Sequence, residues 1–199
     1  QGDWSSDVCS SDLLVTKRDG TKQPLDLNKF HRVVSWACEG IANVSASEIE
    51  LRSHIQFYQG IKTSAVQETL IKAAADLISE ETPNYQYVAG RLICYHLRKQ
   101  VYGDYEPWPL LSLVRKNVES GFYDTGLLAA YTEDEWNTLG NWVDHKRDEN
   151  FTYAAMEQWR GKYLVQNRVS GSIYETPQIA YMLIAATLFQ TYPKDTRLK

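Results

Sequence analysis

The chain has 199 residues, 21 of them basic and 25 acidic, for a formal net charge of −4 at pH 7. That length allows one or two domains with a real core, and the charge balance excludes a generally basic, duplex-binding surface, so any anion site must be local. No run of about 18 apolar residues occurs, which argues against a helical membrane span, and no basic segment followed by an apolar one marks a signal peptide.

Residues 1–12, QGDWSSDVCSSD, repeat a Ser-Ser-Asp unit, lack periodicity and supply Asp3, Asp7 and Asp12. They read as a disordered or non-native leader, outside fold reasoning. Cys9, Cys38 and Cys94 are scattered without metal-ligand spacing, which fits a reduced, cytoplasmic protein.

From Leu13 to Arg32 the sequence LLVTKRDGTKQPLDLNKFHR predicts a β-hairpin turned at Asp19-Gly20 and feeding a helix. The favoured two-residue turn needs positive φ at both central positions, which Asp and Gly tolerate. Lys17, Arg18, Lys22, Lys29, His31 and Arg32 gather on the hairpin and the first helical turns. So compact a donor set, beside the free N–H groups of a helix start, suits a phosphate chain.

A first helix is expected from about Leu27 to Asn43, capped by Asp26 or Asn28, with Phe30, Val33, Val34, Ala37, Cys38 and Ile41 on one face. The next segment offers two capping boxes, Ser45 with Glu48 and Ser47 with Glu50, ahead of Ile49, Leu51, Ile55 and Tyr58, and Gly60 ends it. A third helix starts at Thr63 or Ser64, carries Val66, Leu70, Ala73, Ala74, Leu77 and Ile78, and stops before Thr82-Pro83. A fourth runs from about Asn84 to Tyr102, and its stripe of Tyr85, Val88, Leu92, Tyr95 and His96 continues to Lys99. That lysine either snorkels to solvent or reaches a ligand held by the hairpin.

Gly103, Pro107 and Pro109 interrupt the helical pattern and mark a domain boundary. Beyond it, helices are expected at Leu110 to Glu119, Glu133 to Val143 with a Thr132 capping box, Tyr153 to Tyr163, and Thr176 to Gln190, with residues 164–175 extended or looped. The last helix presents Ile179, Met182, Leu183, Ala186 and Phe189, and its flanks are apolar too, so it needs cover nearly all round, as in a piece of a larger domain.

No catalytic constellation emerges. His31, His54, His96 and His145 are dispersed, Asp144-His145-Lys146-Arg147-Asp148 reads as a solvated helix face, Cys38 and Cys94 read as core thiols, and no glycine-rich phosphate loop occurs.

The stretches LLVTKRDGTKQPLDLNKFHRV, ELRSHIQFYQGIKTS, ETLIKAAADLISEETPNYQYVAGRL and HLRKQVYG resemble the ATP-cone that opens the large subunit of class I ribonucleoside-diphosphate reductases. The likeness continues through GKYLVQNR and YPKDTRL and so covers Leu13 to Lys199. It implies a mainly α fold: an ATP-cone over residues 13–103, a small β-hairpin plus four helices, then over 104–199 the helical region that precedes a catalytic barrel this sequence does not reach. It implies a regulatory site for ATP as activator and dATP as inhibitor, with Mg²⁺ on the phosphates and no metal held by protein ligands.

On matching positions, Lys17 and Arg18 would contact the nucleotide, and Gln23, Pro24, Leu25, Asp26, Leu27 and Asn28 would wrap the base and present Lys29 to the phosphates. Arg32 would add charge, Thr63 would cap the nucleotide, and Lys99 would close the phosphate side. Gln67, one turn after Thr63, stands where His or Asp is expected, and so bears on ATP/dATP discrimination. The catalytic cysteines are expected further along the parent. That parent would reduce ribonucleoside diphosphates for DNA synthesis with thioredoxin or glutaredoxin, dimerise, and touch the radical-generating small subunit; nucleic acid and membrane are not expected partners. Two other readings compete: a cone-bearing repressor, which would need a Cys-x-x-Cys ribbon that is missing here, and a degenerate cone serving only as a protein contact.

Overall fold

The computed structural model describes residues 13–198, so the expectation for residues 1–12 lies outside the described residues. Contacts divide the chain into two units, one up to Leu92 and one from Ile93, with the division inside the helix Tyr85–Tyr102.

The first unit combines helices with a sheet of three short strands, β1 (Leu14–Thr16), β2 (Lys22–Pro24) and β3 (Ile61–Lys62), in the order β2-β1-β3. β1 pairs antiparallel with β2, Val15 opposite Gln23, and parallel with β3, Val15 opposite Ile61. The hairpin is present, but its turn differs from the expected two-residue form. Gly20 N–H donates to Lys17 O (3.1 Å) and Lys17 N–H to Thr21 O (2.8 Å), and only Gly20 has positive φ, at +84°. This is a three-residue loop with the left-handed position last, so glycine alone is required there. β3 was not foreseen, because two residues carry no periodicity for a pattern to reveal.

Helix α1 (Leu27–Cys38) is capped by Asp26, whose carboxylate accepts from Lys29 N–H at 2.9 Å. It buries Phe30, Val33, Val34 and Ala37 as expected but ends five residues early, where the chain turns through Gly40 and Asn43, both at positive φ. Arg91 donates to the carbonyls of Ala37 and Glu39 at that end. Helix α2 (Ala46–His54) departs most from expectation. Ile49 is buried, but Leu51, Ile55 and Tyr58 are 69%, 81% and 62% exposed, and the helix stops six residues before Gly60.

The N-terminus of α2 is closed by a relay. Ser45 Oγ accepts from Glu48 N–H, as in a capping box, but Glu48 does not return to Ser45 N–H; Tyr85 Oη stands between them, accepting from Ser45 N–H (2.9 Å) and donating to Glu48 Oε2 (3.0 Å). Tyr85→Phe should therefore remove two hydrogen bonds at once, one of them to a carboxylate, and destabilise the protein by about 1–2 kcal/mol in urea unfolding, against near zero for a tyrosine held by packing alone.

Helix α3 (Thr63–Ala75) follows β3 directly and buries Val66, Leu70, Ile71, Ala73 and Ala74. It ends before Leu77 and Ile78, which lie in tighter turns. Helix α4 (Tyr85–Tyr102) buries Tyr85, Val88 and Leu92, while Tyr95 and His96 are half-buried.

In the second unit, α5 (Leu110–Glu119), α7 (Glu133–Trp142), α8 (Tyr153–Gln158) and α9 (Pro177–Phe189) fall where expected, and the full capping box at Thr132 and Glu135 is present. The helix expected over Tyr153 to Tyr163 is present as α8 followed directly by a π helix, Trp159–Tyr163, whereas the short helices α6 (Thr125–Ala129) and α10 (Lys194–Arg197) were missed. Residues 164–175 form a loop crossed by one bridge, Gln166 with Ile173. The expectation of a solvated helix face at residues 144–148 holds for Asp144, Lys146 and Arg147, which are exposed, but fails at Asp148. His145–Asn150 is a 3-10 helix that buries Asp148 completely and Nδ1 of His145 with it. On α9, Ile179, Ala180, Leu183 and Ala186 are buried, whereas Phe189, expected on that face, is exposed together with Tyr181, Ile184 and Leu188.

Candidate nucleotide site

The parallel register sets the geometry of the first unit's basic end. Thr16 lies opposite Lys62 on one side and Lys22 on the other, so Lys17, the residue after β1, and Thr63, the residue after β3, leave the sheet at the same end. Thr16 Oγ1 donates to Gly60 O at 2.9 Å and fixes that edge. The turn is held by Asp19, whose Oδ1 accepts from the N–H and the hydroxyl of Thr21. Those bonds from Thr21, with Lys17 nearby, keep the exposed carboxyl below its usual range. Lys17 and Arg18 are exposed on the turn.

The segment from Gln23 to Lys29 leaves the sheet at the opposite end, where Pro24 pairs with Leu14 and Leu25 N–H donates to Leu13 O. Strands of three residues are only about 7 Å long, so the two ends are a short step apart. Gln23 and Leu25 are half-buried, Pro24, Asp26, Asn28 and Lys29 exposed, and Leu27 half-buried. Because Asp26 already accepts from Lys29 N–H, its carboxylate competes with any anion at the start of α1. The Lys29 side chain is exposed one turn before Val33.

Gln67 lies one turn beyond Thr63 on α3, and both are half-buried. Gln67 Oε1 is fully buried and has no hydrogen-bond partner, a condition that favours an incoming donor, since a buried acceptor left unmade is costly.

A feature the sequence did not announce is an open cleft of about 630 Å³ along α1 and the start of α2, lined by His31, Arg32, Ser35, Trp36, Cys38, Glu39 and Ala46. Of the predicted residues it takes in Arg32. His31 at its rim contacts Glu50 Oε1 through Nδ1 (2.7 Å) and Ser35 Oγ through Nε2 (3.3 Å). Burial pushes the Cys38 thiol up to about 11 and Cys94 to about 12, so both stay protonated at neutral pH. Cys94 is the core thiol expected; Cys38 is only half-buried.

Lys99 belongs to the second unit, on the last turn of α4, where its ammonium pairs with Asp104 and lies 5.9 Å from the Tyr95 ring. Among the described residues, no group of three or more His, Cys, Asp or Glu side chains converges to hold a metal ion.

Residues 13–100 match the ATP cone domain, and residues 149–198 match the all-alpha domain of ribonucleotide reductase. Over 186 residues the chain is 57% identical to the ribonucleoside-diphosphate reductase subunit alpha of Haemophilus influenzae, covering 94% of this chain and 25% of that protein. It is 57% identical over 190 residues to the ribonucleoside-diphosphate reductase 1 subunit alpha of Escherichia coli K12, with 96% and 25% covered. The subunit alpha of enterobacteria phage T4 is 43% identical over 187 residues, with 93% and 24% covered. The chain thus spans about a quarter of the length of the curated relatives it matches.

Proposed function

Because the chain belongs to the ribonucleoside-diphosphate reductase alpha subunits, as an ATP cone followed by the start of the all-alpha domain, we propose that it is the nucleotide-sensing region of such a subunit, with ATP and dATP as effectors. The observation that carries this reading furthest is the parallel β1–β3 register, which delivers Lys17 and Thr63 to one end of a short three-stranded sheet, with the half-buried Gln67 one helical turn beyond Thr63. A triphosphate is then held by point charges and not by a glycine-rich loop. Lys17 and Arg18 supply the turn's cations, the segment Gln23 to Asn28 lines the base, Lys29 and Arg32 add charge from α1, and Thr63 donates its hydroxyl. Lys99 takes its phosphate role from the family resemblance, and its ammonium would have to leave Asp104 to perform it. Magnesium rides on the phosphates and not on protein carboxylates. The regulatory region runs over residues 13–103.

Gln67 Oε1 is an acceptor awaiting a hydroxyl or amino donor, which suits a ribose or an adenine amine. Gln67→Met should leave the melting temperature unchanged or raised, because an unpaired buried acceptor is removed, and should weaken ATP binding about tenfold. An unchanged ATP affinity would detach Gln67 from the site.

The parent subunit is proposed to reduce ribonucleoside diphosphates to deoxyribonucleoside diphosphates for DNA synthesis, with chemistry that lies outside the quarter of the relatives matched here. Leu51, Ile55 and Tyr58, exposed on and just after α2, suit a protein contact, which we assign to the radical-generating small subunit. The exposed α9 residues Tyr181, Ile184 and Leu188 suit cover by the rest of the alpha subunit. That same α2 patch is what favours the second reading, a cone that only binds protein. A thermal-shift series separates the two. Nucleotide at about a hundred times its Kd should stabilise the sensor by about 2.7 kcal/mol and leave a pure contact module unmoved.

A further inference from the structure

Three carboxylates of the second unit are buried, but they are not equally provided for. Glu135 is held by the Arg197 guanidinium, and Glu175 accepts from the Tyr123 hydroxyl (2.6 Å) and Val165 N–H (3.0 Å). Asp148, on the 3-10 helix, has 0% exposure and no such donors: neither oxygen has a hydrogen bond of normal geometry, and the backbone and side-chain amides of Gln178 face it only loosely.

Gln178 opens α9. Thr176 makes no side-chain cap there and Pro177 takes the first position, so Gln178 carries the first N–H of the helix. The nearby cation, Arg98 of α4, is already engaged. Its Nη2 donates to His145 O (2.5 Å) and stands 3.6 Å from Glu149, and its guanidinium covers the Tyr105 ring at 4.6 Å. A carboxylate sealed from water with incomplete hydrogen bonding is expensive to ionise.

We propose that Asp148 is a proton-operated latch for α9: with its proton it is tolerated beneath the first turn of the helix, and without it that turn must lift for water to reach the carboxylate. Burial pushes the group up to about 7, with the Gln178 amides and Arg98 pulling it down and Glu149 pushing it up. The other titratable groups facing it are Cys94 and Tyr102 of α4, both held protonated by burial; His145, three positions earlier on the same 3-10 helix, is lowered to about 4 by burial and then Arg98, against Asp144.

The signs are opposite. The docked state holds a proton on Asp148 that the lifted state gives up above about 4, so docking weakens as pH rises from about 4 to about 7. His145 is docked neutral, so its contribution is lost as pH falls from its usual 6.5 towards about 4. The two oppose each other in the intact protein, and removing either one exposes the other.

Hydrogen exchange of the full chain at Gln178–Tyr181, corrected for intrinsic chemistry and run from about pH 4 to 7, tests the latch. Asp148→Asn should be better protected as pH rises. The ratio of wild-type to Asn opening should then climb by about tenfold per pH unit, the slope of one proton. A ratio constant with pH overturns the proposal. An Asn protein that does not fold also counts against it, because a neutral isostere should be welcome at this position. His145→Gln gives an independent reading: protection should fall as pH rises, and a flat or rising profile overturns the latch.

Discussion

Lys17→Ala is expected to weaken ATP and dATP alike by at least about tenfold, since a charge-assisted contact is worth about 1.5–3 kcal/mol and about 1.4 kcal/mol is a factor of ten. The loss should be similar for both nucleotides because a lysine reads phosphate charge and is blind to one ribose hydroxyl. Folding should be untouched. Lys17 is exposed on the hairpin turn, its backbone N–H and C=O bond Thr21 and Gly20, which alanine preserves, and its side chain adds a solvent-screened attraction to the exposed Asp19 carboxylate. Equilibrium dialysis with each nucleotide, beside a melting curve, checks both halves. Lys99→Ala is the companion, expected to act in the same direction, and an unaltered affinity in either variant removes that residue from the site.

The second large effect is on stability. Arg197 of α10 bonds Glu135 through Nη2 at 2.7 and 2.8 Å and through Nε at 3.1 Å, lies 4.5 Å from the Tyr131 ring centroid, and donates Nη1 to Gln190 O. Glu135 has 1% exposure and is also the return arm of the Thr132 capping box. Arg197→Ala leaves that carboxylate buried without its cation. Breaking a buried pair from one side costs about 3–5 kcal/mol, reduced to about 2 kcal/mol here because a freed α10 lets water in. Urea unfolding at neutral pH reads the loss. The Arg197 bonds, then Thr132, hold the Glu135 carboxyl below its usual 4.5. Its contribution is therefore present above that value and disappears as pH falls through the lowered one, so the difference between wild type and variant should shrink in acid. A gap that persists unchanged at low pH would mean that packing, not charge, carries the effect.

Much of the fold was legible because the longer helices state themselves. The faces of α1 and α3, the Asp26 cap and the Thr132 capping box each follow from side chains acting within one or two turns. What escaped depends on contacts distant in sequence. β3 exists because Val15 and Ile61 pair across 46 positions, and two residues have no period of their own. Leu51 and Ile55 look like a buried face on α2 by spacing alone, yet the residues of that helix that are buried are Ile49 and the polar Ser53. Asp148 sits in a run of charges that reads as solvated, and its burial is imposed by α4 and α9 packing around a 3-10 turn.

The basic hairpin was visible as a cluster of lysines and arginines, and the structure adds which of them leave the sheet together. Lys17 and Thr63 do so through the parallel pair; Lys29 and Arg32 follow from the other end through α1. The cleft beside Trp36 was not legible, because Ser35, Cys38 and Ala46 carry no chemical signature until α1 and α2 meet.

Calorimetric titration of the intact chain with magnesium ATP and, separately, magnesium dATP addresses the sensor assignment most directly. Saturable binding of both, weakened together in Lys17→Ala, is the predicted result. Heats indistinguishable from dilution for both nucleotides, in a chain whose melting curve is cooperative, would contradict it.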